Sequence, residues 1–251
     1  MTPISDRKVH DSFRRSLSSY SEEASPQRRI AQLLVRRLLR VCSQRRFRSL
    51  FEFGCGTGHL TVPLTGALDI AHVTLNDLVA EVAHDVPVAF DAFIAGPIET
   101  AAWPADVDLI ASASALQWLD DPENLVKRLV EHLAPKGWLA LSSFGPDQFM
   151  ELQMLGSAAG APGYITPERL KEALRPKVQP VDVGGATFKL WFDSPTDVLR
   201  HLRRTGVNGR ASGRWTRGDL ETFSAAYTDR FAVQGRVPLT YHPVWAIAHK
   251  P

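Results

Sequence analysis

The sequence has few cysteines and no long apolar run. Only Cys42 and Cys55 are cysteines among its 251 residues, and neither belongs to a CxxC pair or to a histidine set at zinc-ligand spacing. This scarcity argues against a disulfide framework and predicts no metal site. No segment approaches the ~18 consecutive apolar residues of a membrane span. The charged start, MTPISDRKVHDSFRRS, lacks the apolar core of a signal peptide, so we expect a cytoplasmic protein without a membrane partner.

The chain also has little net charge. Its 29 Lys and Arg nearly balance its 27 Asp and Glu, whereas a general nucleic-acid binder has a concentrated basic face. We therefore expect no nucleic-acid partner. A hydrophobic content of 44% is typical of a globular chain, and the length suits one core with an elaborated cap. We predict a single domain over residues 1–251 and a monomer.

Strand-like and helix-like segments alternate along the first two thirds of the chain. Apolar residues at helical spacing in PQRRIAQLLVRRLLRVCSQ predict an amphipathic helix within N-terminal helices over 1–45. Strands are predicted in RSLFEF, HVTLND, VDLIASASAL and GWLALSSFG, with helices such as DPENLVKRLVEHLAP between them. Strands joined by helices in this order favour an α/β fold with a doubly wound parallel sheet, and we assign a ligand-binding core to 46–146.

The pattern changes after the core. Residues 147–185 contain short helical pieces such as TPERLKEAL, which has a helix-start signature, and we predict a helical cap insertion there. Residues 186–251 then contain a strand in FKLWF, two helices, and a closing strand in LTYHPVWAIAHK. These elements are predicted to complete the sheet and the cap.

Three glycines follow the first predicted strand, in SLFEFGCGTGHLT. Glycines between a strand and a helix let the backbone turn sharply and let a ligand approach without a Cβ in its path. The spacing Gly54-x-Gly56-x-Gly58 differs from the GxGxxG of dinucleotide enzymes. Glu52 precedes the loop, and its carboxylate would repel a pyrophosphate but suit a cationic ligand. A nicotinamide dehydrogenase is therefore disfavoured, though it stays an alternative.

The run from Glu52 to Gly58, together with Asp77 at the end of the next strand, resembles the cofactor motif of the Rossmann-like S-adenosylmethionine (SAM) methyltransferases. The resemblance implies a mostly parallel sheet with an antiparallel last strand, SAM as cofactor and S-adenosylhomocysteine as product. It implies that Asp77 binds the ribose hydroxyls and that Glu52 lies near the ammonium of SAM, whose amino-acid end passes over the glycines. Further cofactor contacts that it implies are Phe13, Leu78, Ile98, Ser112 and Ala113.

One position departs from the pattern of this family. The segment AGPIE has Pro97 where the family usually has an acidic residue beside the adenine. Asp91, Glu99 or a backbone carbonyl are the alternatives for that contact.

Four longer blocks narrow the resemblance. They are VHDSFRRSLSSYSEEASPQRR, ALQWLDDPENLVKRLVEHLAPKGWLALSSFG, LWFDSPTDVLRHLRRTGVN and VPLTYHPVWAIA. In this order they resemble the malonyl-[acyl-carrier protein] O-methyltransferases of biotin synthesis. The resemblance implies methyl transfer from SAM to the free carboxylate of a malonyl thioester on acyl carrier protein. A carboxylate with a pKa near ~4 is already ionised at pH 7, so this chemistry needs positioning and exclusion of water rather than a general base.

Two aromatic residues are the candidate catalytic residues. The Tyr20 phenol could hydrogen-bond the substrate carboxylate, and the Trp118 indole could exclude water or donate its N–H; both could equally be packing residues. Gln117 is a weaker candidate for substrate binding. His242 could line the same mouth, although a structural role is the more common one for a lone histidine.

Acyl carrier protein is acidic, so its docking site should be basic. Arg200, Arg203 and Arg204 in LRHLRRTG lie within about one helical turn and are predicted to bind the carrier, with Arg210 and Arg214 following in a loop. The arginines from Arg28 to Arg40 are a second basic cluster, for which a solvated helix face is the favoured interpretation. A methyltransferase for another small acid and a non-catalytic SAM-binding adaptor remain alternative functions.

Overall fold

The computed structural model of the chain describes residues 25–157, 160–175, 177–205 and 216–251. These residues belong to two compact units. The larger unit comprises 25–145, 162–185 and 243–251, and the smaller one includes 146–161 and 186–242.

Both units contain helices and strands. The α-helices of the described ranges are α1 (Ser25–Val41), α2 (Thr61–Ala67), α3 (Pro122–Glu131), α4 (Met150–Met154), α5 (Pro167–Leu174), α6 (Pro195–Arg204) and α7 (Arg217–Phe231). The strands are β1 (Arg46–Phe53), β2 (Asp69–Asp77), β3 (Ala92–Ala95), β4 (Val107–Ala113), β5 (Leu133–Phe144), β6 (Gln179–Gly185), β7 (Phe188–Phe192), β8 (Val237–Tyr241) and β9 (Pro243–His249). Short 3-10 helices lie at Ala80–His84 and Leu116–Trp118.

The larger unit is built on a seven-stranded sheet of order β3-β2-β1-β4-β5-β9-β6. The five strands from β3 to β5 pair in parallel, and β9 pairs antiparallel with both β5 and β6. The predicted α/β fold, with a mostly parallel sheet and an antiparallel last strand, is therefore confirmed. Because β1 leads to β2 on one side and β4 lies on the other, the strand order reverses between β1 and β4.

Strand β1 shows why the sheet forms where it does. Its second half, Leu50–Phe53, is buried at every position, as expected of a parallel strand that is covered on both faces. Helix α1 contributes to the cover, since Ile30, Leu34 and Leu38 on its apolar face are all 2% exposed or less. The amphipathic spacing in the sequence thus predicted both the helix and its buried face.

The predicted helix starts are also present. Asp121 accepts a hydrogen bond from the Asn124 N–H and caps α3, which has a proline in its first turn. Thr166 caps α5 in the same way, and Ser194 caps α6. Such side-chain caps satisfy backbone N–H groups that have no partner within the helix.

Two segments differ from the sequence prediction. The region 147–185 contains β6, which pairs with β9 in the main sheet, so the predicted helical insertion is divided between the two units. The single closing strand of LTYHPVWAIAHK is instead two strands, β8 and β9, which belong to different sheets. The break has two causes: the His242 N–H is bound to Gln148 Oε1, and Pro243 has no N–H to continue a ladder.

The smaller unit has its own packed centre. Strands β7 and β8 form an antiparallel ribbon, and the largest fully buried side chains beside it include Phe149, Tyr227 and Tyr241. The buried Glu151 carboxylate accepts hydrogen bonds from the backbone N–H and the hydroxyl of Thr240, which ties α4 to β8.

Two features are absent from the described residues. None of the helices there combines the length and apolar character needed to cross a membrane. Nor do these residues contain a cluster of three or more His, Cys, Asp or Glu side chains suited to a metal ion.

Candidate active site

The reversal of strand order between β1 and β4 positions the candidate site. In open parallel sheets, ligands bind in the crevice beyond the carboxyl ends of the strands at such a point. Glu52 lies near the end of β1, Asp77 ends β2 and Ala113 ends β4. The larger unit therefore brings the predicted cofactor motif and the predicted substrate-facing segment to one edge of the sheet.

The three glycines of the loop after β1 have positive φ angles: 62° at Gly54, 49° at Gly56 and 82° at Gly58. Only glycine adopts this region without strain. Their surroundings differ. A Cβ at Gly54 would lie 2.4 Å from the Ala115 Cβ, whereas a Cβ at Gly56 would meet no atom within 4 Å. Gly54 is thus required for packing against the segment after β4, and Gly56 borders open space that a ligand can fill.

This difference predicts different behaviour of two alanine variants. Gly54→Ala should lower the melting temperature more than Gly56→Ala, because both strain the backbone but only the first adds a clash. Gly56→Ala should weaken binding of the ligand that fills the open space, with a stability loss of only about 1 kcal/mol. Thermal unfolding and calorimetric titration of both variants would test this. Equal melting temperatures would contradict the packing role of Gly54.

Asp77 holds the glycine loop. One carboxylate oxygen accepts a hydrogen bond from the Gly56 N–H at 2.9 Å, and the other accepts one from the Val79 N–H at 2.9 Å. An ionised carboxylate can accept about four hydrogen bonds, so these two do not preclude contact with ribose hydroxyls. The sequence motif predicted a ligand contact for Asp77 but did not reveal this role in shaping the loop.

Glu52 is an unusual group to find inside the sheet. It is 1% exposed, and its Oε2 atom has no hydrogen-bond partner among the described residues. Burial, reinforced by the negative charge of Asp77, raises the pKa of Glu52 to about 8. The same causes, burial and then the charges of Asp77 and Glu52, raise the pKa of the Cys55 thiol far above its usual range. A cationic group at this place would therefore relieve an unfavourable negative field.

Asn76 is a residue that sequence reasoning missed. Its buried side-chain amide donates to the carbonyl oxygens of Ile94 at 2.7 Å and Gly96 at 3.0 Å. These bonds fix the chain after β3, where an adenine contact was sought. The available signal was the position of Asn76 directly before Asp77 at a strand end, where a polar residue interrupts an apolar run.

The adenine-contact candidates Asp91 and Glu99 and the predicted cofactor contacts Leu78 and Ile98 have different surroundings. Ile98 is buried in the hydrophobic core of the larger unit, and its carbonyl accepts a hydrogen bond from the Trp103 indole. Asp91 is bound to the Val73 N–H at 2.7 Å. Leu78 is half-buried and Glu99 is exposed.

The end of β4 and the segment after it contain four predicted site residues. Ser112 is fully buried and donates its hydroxyl hydrogen to the Phe53 carbonyl at 2.8 Å, so it joins β4 to β1. Ala113 is half-buried at the strand end. Gln117 is buried and donates to the Ser114 carbonyl at 2.5 Å, while Trp118 is half-buried in the short 3-10 helix.

The remaining predicted site residues fall into two groups. Phe13, Tyr20, Arg210 and Arg214 lie outside the described residues. His242 belongs to the smaller unit, where its Nδ1 accepts a hydrogen bond from the Asp147 N–H at 3.1 Å. This contact holds the turn between β8 and β9, which is the structural role that was weighed against substrate binding.

The predicted carrier-binding arginines lie on α6 in the smaller unit. Arg200, Arg203 and Arg204 are all exposed, and Arg200 forms an ion pair with Asp197 one turn earlier. These three residues form the α6 basic face.

Two arginines of the alternative basic cluster on α1 form contacts within the larger unit. Arg37 and Arg40 both bind the Asp182 carboxylate, at 3.1 Å and 2.7 Å. The Arg37 guanidinium also stacks 3.6 Å from the centre of the Trp245 ring, whose N–H donates to the same carboxylate. These contacts fasten α1 to β6 and β9 and leave fewer arginines for a partner.

A family model and the sequences of known proteins both indicate similarity to methyltransferases. A family model described as a methyltransferase domain matches residues 23–176. The malonyl-[acyl-carrier protein] O-methyltransferase of Chlorobium phaeovibrioides is 34% identical over 259 residues, which cover 100% of this chain and 99% of that protein. The enzyme of the same name from Bacteroides thetaiotaomicron is 35% identical, covering 96% of this chain and 97% of that protein.

Solved structures agree on the fold. The YcgJ protein of Bacillus subtilis has a TM-score of 0.63 at 13% identity, with 86% of this chain and 97% of that chain covered. The N-methyltransferase NodS of Bradyrhizobium japonicum, solved with S-adenosylhomocysteine, has a TM-score of 0.57 at 16% identity, with 97% of this chain and 99% of that chain covered. At these identities the likeness shows the fold alone.

Proposed function

Because the chain belongs to the malonyl-[acyl-carrier protein] O-methyltransferase family of methyltransferases, we propose that it methylates the free carboxylate of a malonyl thioester carried on acyl carrier protein. This is an early step of biotin synthesis. The observation that carries the proposal is the similarity of more than 30% identity over the full length of both proteins, which includes the segments outside the cofactor-binding core. SAM is the cofactor of this enzyme class.

The residues of the larger unit fit SAM. SAM has an ammonium group and a sulfonium, and the buried Glu52, whose Oε2 atom has no hydrogen-bond partner among the described residues, can ionise to balance the ammonium charge. The open space at Gly56 leaves room for a ligand against the loop backbone. We assign Glu52 to the ammonium side, the glycine loop to the amino-acid end and Asp77 to the ribose hydroxyls.

SAM supplies an electrophilic methyl group, and S-adenosylhomocysteine is left after transfer. The protein needs no general base, because the acceptor carboxylate is ionised at pH 7 with a pKa near ~4. Its residues must instead hold the carboxylate in line and exclude water, and positioning of this kind can contribute up to about 7–11 kcal/mol. We assign water exclusion to Trp118, which lies beyond the carboxyl end of β4, and a share in holding the substrate to Tyr20.

Mass spectrometry of malonyl-acyl carrier protein after incubation with SAM tests the proposal. The expected result is a mass gain of one methyl group, with formation of S-adenosylhomocysteine. Malonyl-CoA and free small acids serve as competing substrates. Faster methylation of a free acid would favour the alternative of a small-molecule methyltransferase, and SAM binding without turnover on any carboxylate would favour a non-catalytic adaptor.

The raised pKa of Glu52 gives a prediction about pH. With a pKa of about 8, Glu52 is mostly protonated at pH 7 in the free protein. A bound ammonium favours the ionised form, so SAM binding at pH 7 should release about one proton from Glu52. Calorimetry in two buffers with different ionisation enthalpies measures this release. Glu52→Gln should abolish it, and release that persists unchanged in this variant would contradict the assignment.

The raised pKa of Glu52 also makes the free energy of unfolding depend on pH. Glu52 holds its proton more tightly in the folded chain than its ordinary pKa of 4.5 would allow. Its contribution is therefore most favourable below that ordinary value and is lost as pH rises through about 8. Thermal unfolding without ligand should show a smaller decline between these pH values in Glu52→Gln than in the wild type.

A further inference from the structure

Ser114 directly follows β4 and has a backbone conformation that is rare for its residue type. Its φ angle is 59°, in the left-handed region that few residues other than glycine adopt. Both of its peptide groups are held there. The Ser114 N–H donates to the Ser142 carbonyl at 3.1 Å, and the Ser114 carbonyl accepts the Gln117 side-chain N–H at 2.5 Å. A strained backbone conformation that the surrounding hydrogen bonds hold in place is typical of ligand sites.

The hydroxyl of Ser114 takes no part in this arrangement. Its Oγ atom is shielded from solvent and has no hydrogen-bond partner in the part of the chain that the structure describes. Ser112, two residues earlier, provides the contrast, since its hydroxyl is bound to the Phe53 carbonyl. A buried hydroxyl without a partner costs free energy. A ligand that the hydroxyl reaches by a change of side-chain rotamer would supply the missing bond.

The position of Ser114 indicates which molecule. Glu52 and Asp77 place two acidic groups at the ends of β1 and β2, where they suit a cation and neutral hydroxyl groups. Ser114 lies across the strand-order reversal, at the end of β4, and the adjacent Ala115 packs against the glycine loop at Gly54. The β4 end thus offers a neutral hydrogen-bond donor beside the cofactor loop, which suits an anionic group that the two acidic residues would repel.

We infer that Ser114 is a substrate-binding residue whose hydroxyl donates a hydrogen bond to the acceptor carboxylate; this rests on the proposed function. A paired arginine or lysine would neutralise the negative charge of the carboxylate. A neutral donor orients the carboxylate without doing so, and therefore preserves its nucleophilicity. Rotation of the side chain between staggered rotamers is the smallest movement that brings Oγ to the ligand.

Two variants of the full-length protein test the inference, Ser114→Ala and Ser114→Gly. Both lack the hydroxyl, but glycine also relieves the strain of the positive φ angle. We expect kcat/KM for malonyl-acyl carrier protein to fall about 10- to 50-fold in both. SAM affinity measured by calorimetry should stay within twofold of the wild type. The melting temperature should be higher in Ser114→Gly than in Ser114→Ala.

Several results would overturn the inference. One is retention of wild-type kcat/KM in both variants. Another is full activity in Ser114→Gly with loss in Ser114→Ala, because the backbone conformation would then matter and the hydroxyl would not. A fall in SAM affinity with unchanged substrate kinetics would assign the hydroxyl to the cofactor instead. A wild-type protein that methylates no malonyl thioester would refute the proposed function, and this inference with it.

Discussion

Replacing Asp77 by alanine should weaken SAM binding about 10- to 150-fold, because a hydrogen bond to a charged group contributes roughly 1.5–3 kcal/mol. The structure adds a second effect. The variant also loses the bonds from Asp77 to the Gly56 and Val79 N–H groups, so the glycine loop loses the side chain that holds it. The melting temperature should therefore fall as well.

Asp77→Asn is the matched control. The asparagine carbonyl oxygen can still accept one of the two backbone hydrogen bonds, but its NH2 group cannot accept the other. We expect its melting temperature and its SAM affinity to lie between those of the wild type and of Asp77→Ala. Calorimetry and thermal unfolding measure the two quantities. Unchanged SAM affinity in Asp77→Ala would refute the assignment of this residue to the ribose.

The parts of the site that the sequence predicted are those fixed by local chemistry. The positive φ angles at Gly54, Gly56 and Gly58 belong to a tight turn after a buried strand. Three closely spaced glycines in the sequence predict a turn of this kind. Asp77 was singled out by the resemblance to the SAM methyltransferase motif, and its place at the end of the next parallel strand puts it at the same edge of the sheet as the glycines. The helix caps at Asp121, Thr166 and Ser194 are local in the same sense.

The parts that were not predicted depend on side-chain direction and on distant partners. Ser112 and Ser114 are two residues apart and chemically identical, yet one hydroxyl is bound to Phe53 and the other has no partner among the described residues. The left-handed backbone conformation of Ser114 gives the two side chains different surroundings. The sequence ASASALQW contains no residue pattern that predicts this conformation. The break between β8 and β9 likewise depends on Gln148, which is 94 residues away in sequence from His242.

Charge reversal of the α6 basic face should raise the KM for malonyl-acyl carrier protein at least about tenfold while leaving the KM for malonyl-CoA within about twofold. Both substrates present the same thioester and carboxylate, but only the carrier has an acidic protein surface. Exposed arginines steer such a partner and stabilise the encounter, so their reversal acts on association rather than on methyl transfer. The variant is Arg200→Glu, Arg203→Glu and Arg204→Glu combined.

Two controls separate docking from other effects. Reversal of three exposed basic residues of the larger unit, Arg46, Lys136 and Lys171, changes the net charge equally and should alter neither KM much. Neutralisation of the α6 basic face to glutamine should raise the carrier KM by less than reversal does. Because Arg200→Glu places a like charge beside Asp197, thermal unfolding must show that α6 remains folded.

The α6 basic face is the better docking candidate because two arginines of the alternative cluster on α1 already form contacts within the fold. Arg37 and Arg40 on α1 are bound to Asp182, so a carrier docking there would compete with contacts that hold α1 to the sheet. Added salt should raise the wild-type KM for the carrier as the mutations do, since screening over a Debye length of about 8 Å at physiological ionic strength weakens exposed charge pairs. Equal losses on both substrates, or a carrier KM insensitive to salt, would remove α6 as the docking surface and return attention to the exposed arginines of α1.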